Sequence, residues 1–349
     1  MTKLVNHTIR KNIESLNSTE KRDLVHAFRE LQKTEGRSLS KYDKYIIWHV
    51  YAMTSMVSSG GNLAHLGPIF LPWHREFLRR LELELQEIVP DISLPYWDWT
   101  KDFENPSNSI VWSNELFGGN GDPLYRHPSL FFEPSQDMGY VVTTGPFKYN
   151  PEDPTTYSMP SFDEELNLRF DKNGNLIRQP LLRSFRECIV TLRYAFPNFS
   201  DVQRLFNIHE YDSPDFFLHR EDSNPSFRNS LEGWFTLETG RLQSRIHNAI
   251  HVWISGTMQT AYSPGDPIFF LNHANVDRIW AEWQKTDEHS YPPDGSIIDT
   301  NGEPIAGQNI LDEMYPWNTY PWISNDLVGP TIESTLDHHL LGYEYDTEM

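Results

Sequence analysis

The feature that most constrains this chain is a pair of histidine triplets: His49, His65 and His74, then His247, His251 and His273. In H-N-A-I-H the spacing of His247 and His251 stacks two imidazoles on one helix face, a turn apart. His74 sits in F-L-P-W-H-R and His273 in F-L-N-H-A-N-V-D-R, each where a helix is expected to begin. Burying that many imidazoles on apolar faces leaves polar nitrogens in need of partners, and a metal would supply them. Three neutral imidazoles per ion, with no carboxylate or thiolate among them, suit copper better than iron, manganese or magnesium. H-x-x-x-H also serves zinc hydrolases, but there a glutamate follows the first histidine, and here that position is Asn248. The other histidines (His7, His26, His127, His209, His219, His289, His338 and His339) read as hydrogen-bonded or surface groups.

Four segments with helical period carry these ligands. Residues 42–57 predict an aromatic-rich helix around His49. Residues 71–88 place His74, Leu78, Leu81, Leu85 and Ile88 on one stripe, with Arg79, Arg80, Glu82 and Glu84 away from it. Residues 240–255 group His247, His251 and Ile254, and residues 272–285 group His273, Val276, Trp280 and Trp283. A helix near 18–33, capped by Asn17 and Glu20, shows Leu24, Phe28 and Leu31 on one face; carrying no ligand, it is expected to pack outside the core. Between 100 and 226 Pro and Gly recur, and only short helices near 181–194 and 199–207 are expected among long loops. The expected fold is mainly α: a four-helix bundle core holding a dinuclear copper site, with long surface loops and little β structure. It is read as one catalytic domain over residues 1–349.

Charge narrows the partners. A formal net charge of −20 over 349 residues argues against a nucleic-acid or anionic-membrane partner, since both need basic patches. The single Cys188 excludes an intramolecular disulfide. No apolar run reaches membrane-spanning length, and M-T-K-L-V-N-H-T-I-R-K-N lacks the apolar core of a secretory leader. A cytoplasmic location is the expectation.

The segments H-L-G-P-I-F-L-P-W-H-R-E-F-L, L-P-Y-W-D-W and D-P-I-F-F-L-N-H-A-N-V-D-R-I-W resemble the tyrosinases of the type-3 copper family, the bacterial members above all. R-K-N, F-G-G-N-G, G-P-F, F-R-N-S-L-E-G, M-Y-P-W-N-T and G-Y-E-Y-D extend the resemblance along the chain, while 122–140 and 148–198 fit least. The resemblance implies two copper ions per chain, the first held by His49, His65 and His74 and the second by His247, His251 and His273, with His65 supplied from a loop. Leu63 stands where fungal and plant relatives have a cysteine, so no thioether to histidine is expected. The motif of Tyr343 and Tyr345 closes the catalytic domain in such proteins, and no C-terminal lid domain is expected here.

The implied reaction is oxidation of phenols by O2: ortho-hydroxylation of monophenols and oxidation of o-diphenols to o-quinones. A catechol oxidase or o-aminophenol oxidase without the hydroxylation is the alternative, and a haemocyanin-like O2 binder the remote one. A phenol with pKa near 10 is scarcely ionised at neutral pH, so something must take its proton. The resemblance assigns that to a water held by Glu232 and Asn248, the catalytic pair. It also marks Trp234, Val252, Ala261 and Asn272 as pocket positions; Val252 stands where some bacterial tyrosinases have arginine, and Asn272 where many relatives have a second histidine. Such an uncharged rim favours simple phenols over tyrosine. Asp277 is expected to orient an imidazole or pair with Arg278, and Phe70 and Phe269 to wall the ligands. Beyond phenolic small molecules and O2, the partners to consider are a second copy of this chain, as a homodimer, and a copper donor protein.

Overall fold

The computed structural model describes residues 7–34, 39–57, 61–126, 135, 138–153, 155–186, 196–213, 216, 226–236, 242–286, 291–317 and 329–348. Cys188, His127, His219 and His289 lie outside the described residues. Helices dominate what is described: α1 (Ser18–Leu31), α2 (Asp43–Thr54), α3 (Phe70–Ile88), α4 (Phe199–Leu205), α5 (Phe227–Glu232), α6 (Ile246–Ile254) and α7 (Ile268–Gln284). The strands are two or three residues long: β1 (Thr8–Arg10), β2 (Tyr140–Val141), β3 (Met159–Pro160), β4 (Arg178–Gln179), β5 (Leu182–Arg183), β6 (Trp234–Thr236), β7 (Leu242–Ser244) and β8 (Tyr343–Tyr345). They pair two by two, β1 with β8 in parallel and β2 with β5, β3 with β4 and β6 with β7 antiparallel. The mainly helical architecture is as expected, with α2, α3, α6 and α7 carrying ligands. None of the helices among the described residues is long and apolar enough to cross a membrane.

One continuous cluster of buried apolar side chains runs from Ile13 to Tyr345. Helix α1 belongs to it, contrary to the expectation that it packs outside. Asn17 and Glu20 form its capping box, and Leu24, Ala27, Phe28 and Leu31 are buried. The Phe28 ring meets Tyr42, Phe117, Phe147 and Phe270 at centroid distances between 6.1 and 6.4 Å. A helix need carry no ligand to fill the groove beside α3.

Ion pairs fix where the ligand helices start. Ser40 and Asp43 exchange backbone–side chain hydrogen bonds at the entry to α2, and Arg178 grips both Asp43 oxygens at 2.9 Å. At the entry to α7 Asp266 accepts from the Ile268 amide and pairs with Arg183 through Nε and Nη2, at 2.7 and 2.8 Å. Where a helix was expected near 181–194, residues 182–183 are instead β5, paired with β2, and 187–195 lie outside the described residues. The helix expected near 199–207 is α4. Gly233 ends α5 with φ of 86°, and a Cβ there would fall 1.7 Å from the Arg245 carbonyl oxygen. Only glycine lets α5 approach α6 this closely, which brings Glu232 beside His247.

Behind the ligand faces of α3 and α7 lies a buried ionic node. Arg75 Nε donates to Asp277 Oδ1 at 2.6 Å, and Arg10 Nη1 reaches Oδ2 at 3.2 Å. Tyr343 and Tyr345 each donate a hydroxyl to Oδ2 at 2.6 Å. Glu82, expected on the polar side of its helix, is instead buried against Arg10 at 2.7 Å, because the guanidinium makes an inward position tolerable. Burial pushes the Asp277 carboxyl up, but Arg75 and Arg10 outweigh it and hold the group below the ordinary carboxylate range. Asp277 therefore neither orients an imidazole nor pairs with Arg278, whose Nε donates to Asn275.

Candidate metal centre

The first triad comes from three local structures. His49 projects from the middle of α2 and His74 from the second turn of α3. His65 lies in the turn between them, where Asn62 Oδ1 accepts from the Ala64 and His65 amides at 2.9 and 2.8 Å. The second triad takes His247 and His251 from one face of α6 and His273 from α7. In each triad the ligand atoms lie within 4.8 Å of one another. All six rings are buried. His74 and His273 stack at 4.1 Å with planes 11° apart and so join the two triads across the bundle. Phe269 lies 5.2 Å from His49 and 4.1 Å from His273, and Phe70 lies 4.9 Å from His74 and 5.0 Å from His247. Both phenylalanines wall the ligands, as expected.

Backbone carbonyls orient the rings. His49 Nδ1 meets Ala261 O at 2.6 Å, His74 Nδ1 meets Phe70 O at 2.8 Å, His251 Nδ1 meets Met258 O at 2.6 Å and His247 Nδ1 meets Glu232 O at 3.2 Å. A carbonyl oxygen can only accept, so each Nδ1 carries the proton and each Nε2 keeps its lone pair. His247 Nε2 and His273 Nε2 stand 3.1 Å apart, close to the roughly 3.3 Å between two nitrogens on one tetrahedral ion.

Burial, then the neighbouring imidazoles, pushes His65 and His273 well below the usual histidine range. Burial outweighs the carbonyl bonds and takes His49 down to about 3 and His251 to about 4. The rings are therefore neutral at physiological pH, as metal binding demands. Among the described residues, Nε2 of His49, His74 and His251 and Nδ1 of His65 and His273 are buried without a hydrogen-bond partner. Three free Nε2 lone pairs, on His49, His74 and His251, with unpartnered nitrogens on two further rings in an aromatic-walled space, fit two copper ions.

Of the other residues singled out in the sequence, Ala261 bonds His49 through its carbonyl, and Asn248, Val252 and Asn272 adjoin ligands along the chain. Glu232 is fully buried at the end of α5; Oε1 accepts from the Leu66 amide at 2.7 Å and Oε2 from Arg228 Nη1 at 2.9 Å. Arg228 is held in turn by Asp212 at 2.6 Å and by the Phe216 carbonyl at 2.7 Å. Asn248 Nδ2 donates to Ser244 Oγ at 2.7 Å. Trp234 and Ala261 are half-buried and Val252 is buried. Asn272 is fully buried and accepts from Trp99 Nε1 at 3.2 Å. Sequence reading missed Arg228 and Asp212; the Arg228 charge four residues before Glu232 in F-R-N-S-L-E was a signal, whereas the distant Asp212 gave none. The carbonyls of Ala261 and Met258 gave none, because any residue carries a carbonyl.

A family profile described as the common central domain of tyrosinase matches residues 39–286 and so contains both triads. The grixazone synthase of Streptomyces griseus is 34% identical over 320 residues, covering 89% of this chain and 94% of that protein. The tyrosinase of Streptomyces glaucescens is 29% identical, covering 98% of this chain and 100% of its own. Among solved structures a polyphenol oxidase mutant from Thermothelomyces thermophila superposes with a TM-score of 0.60 over 97% of this chain and 88% of that one, at 22% identity, which shows a shared fold. Two neutral histidine triads facing each other in a helical bundle, inside a domain match of this length, make the chain a member of the tyrosinase family.

Proposed function

We propose that the chain hydroxylates monophenols at the ortho position and oxidises the resulting o-diphenols to o-quinones, with O2 as oxidant. Copper-dependent oxidation of phenols is the activity of the family. The observation that carries the reading is the set of inward-facing, unpartnered imidazole nitrogens of His49, His74 and His251 between Phe70 and Phe269. When bound, the copper pair supplies O2 activation and the two-electron oxidation of the ring. His49, His65 and His74 would hold one ion and His247, His251 and His273 the other. The surrounding aromatic rings offer a phenol apolar faces to pack against.

The proton of a monophenol is assigned to Glu232, acting with Asn248 through a water. Arg228 and the Leu66 amide each use one lone pair of the Glu232 carboxylate, and each oxygen has a second. Ser244 holds the Asn248 amide in one orientation. Val252 and Ala261 give the pocket an uncharged margin that favours simple phenols, with Trp234 and Asn272 behind it. One continuous core supports a single catalytic domain. We further propose a cytoplasmic setting, with a second copy of this chain and a copper donor protein as partners to test.

The test compares a monophenol with its o-diphenol on copper-loaded protein. Quinone from both is expected; quinone from the diphenol alone makes the chain a catechol oxidase. Glu232→Gln is expected to lower monophenol turnover at least tenfold more than diphenol turnover at unchanged copper content. Equal losses on both would remove Glu232 from the hydroxylation step. A strong preference for tyrosine over p-cresol would overturn the reading of the pocket margin.

A further inference from the structure

A second group of side chains that could hold a metal lies outside the copper centre. Asp337, His338 and His339 offer ligand atoms within 4.8 Å of one another. The fold holds their turn in place: Arg75 Nη1 and Gln284 Nε2 both donate to the Leu336 carbonyl, at 2.7 and 2.9 Å. Glu348, just past β8, reaches into the group. Its Oε2 lies 3.0 Å from His338 Nε2 and its Oε1 3.9 Å from His339 Nε2. Asp337 Oδ1 lies 3.3 Å from His339 Nδ1, which fixes that nitrogen as the protonated one and turns the Nε2 lone pair toward Glu348.

Ion pairs to His338 and Lys285, and the Tyr345 amide that donates to Oε2 at 2.7 Å, satisfy Glu348 only in part. Its side chain is 5% exposed, and Oε1 is buried with no hydrogen-bond partner among the described residues. Lys285 Nζ forms an ion pair with that oxygen at 3.8 Å, beyond hydrogen-bond reach, and donates its hydrogen bond to Glu282 at 3.1 Å. An orphaned carboxylate oxygen facing two imidazoles is a second, independent sign of a ligand. A tetrahedral ion with bonds of about 2.0–2.1 Å spaces its donors roughly 3.3 Å apart. The separations here of 3.0 and 3.9 Å bracket that value. The group opens on a surface cleft of about 460 Å³ that Glu344 also borders. It is separate from the copper pair: the Tyr343 ring lies 5.4 Å from His338, while the Tyr343 hydroxyl bonds Asp277, one turn past His273 on α7.

We propose that His338, His339 and Glu348, with Asp337 behind His339, bind one borderline divalent transition metal of the Zn2+ or Cu2+ class. Two imidazoles and a carboxylate suit such an ion better than Ca2+ or Mg2+. The ion replaces the proton between His338 and Glu348 and ties the turn at 337–339 to the end of β8.

The experiment titrates Zn2+ into copper-loaded protein freed of excess metal, following heat of binding, melting temperature and retained copper. One equivalent is expected to bind with copper fully retained and the melting temperature raised. His339→Asn, at an exposed residue, and Glu348→Gln are each expected to weaken this binding at least tenfold while copper content and diphenol turnover stay unchanged. Three results would overturn the site: no saturable uptake, uptake matched by loss of copper, or uptake undiminished in both variants.

Discussion

Helices α3 and α7 each present one buried polar cluster on either side, and the two clusters differ in how their hydrogen-bonding capacity is met. His74 and Arg75 are neighbours on α3, and His273 and Asp277 stand one turn apart on α7. On the Arg75–Asp277 side two guanidiniums and two hydroxyls converge on one carboxylate, and Arg75 spends its remaining donors on the Thr335 and Leu336 carbonyls and Gln284. On the histidine side, nitrogens of five rings have no partner among the described residues. Both sides are buried. Satisfied polar groups hold a fold together, whereas unsatisfied ones are kept for something that arrives later.

That contrast can be broken or sharpened by experiment. His273→Asn is expected to drop bound copper below one ion per chain and remove phenol oxidation, while the metal-free variant melts within a few degrees of the parent. A large fall in the metal-free melting temperature would erase the distinction. Asp277→Ala reverses the pattern: it leaves the buried Arg75 without a carboxylate, while Arg10 keeps Glu82, and costs about 3–5 kcal/mol, read in denaturant unfolding.

Acid should separate the clusters as well. The folded chain holds His49 at about 3 and His251 at about 4, below the roughly 6.5 of an unfolded imidazole. The unfolded state then binds more protons, so metal-free stability is complete above about pH 6.5 and is lost as pH falls toward 4, by at most about 1.4 kcal/mol per pH unit for each ring. Asp277, held below the ordinary carboxylate range, contributes stability that is kept until the pH drops below about 4. Melting curves from pH 8 to 3.5 on metal-free protein check this, and a flat profile between pH 6.5 and 5 would count against the buried neutral rings. The smallest effect is that of Tyr345→Phe, which removes one of several bonds to Asp277 and should cost about 1 kcal/mol with copper content unchanged.

The contrast also explains what the sequence could and could not disclose. The ligand helices were legible because His74, Leu78, Leu81 and Leu85 repeat at helical spacing, and because His247 and His251 share a face. Helix α1 was legible as an element but not as core, since its Leu24 and Phe28 stripe says that it buries a face without saying against what. Strands of two residues, such as β5, are too short to show an alternating pattern. The partners of Asp277 come from Arg10, Arg75, Tyr343 and Tyr345, spread over almost the whole chain, and no local window joins them. At the metal centre the ligands were visible in the sequence, but the carbonyls that aim them were not, being common to every residue.

The parallel pairing of β1 with β8 has a consequence for how the molecule assembles. His247 and His273 are 26 residues apart, whereas Arg10 and Tyr345 are 335 apart. Closing the longer loop costs about 2 kcal/mol more chain entropy, with no reward until the ladder and the Asp277 contacts form together. Contact order therefore favours local assembly of each half-site before the clasp closes. Metal capture and chain closure become kinetically separable events, and destabilising the clasp should speed unfolding more than it slows the first collapse.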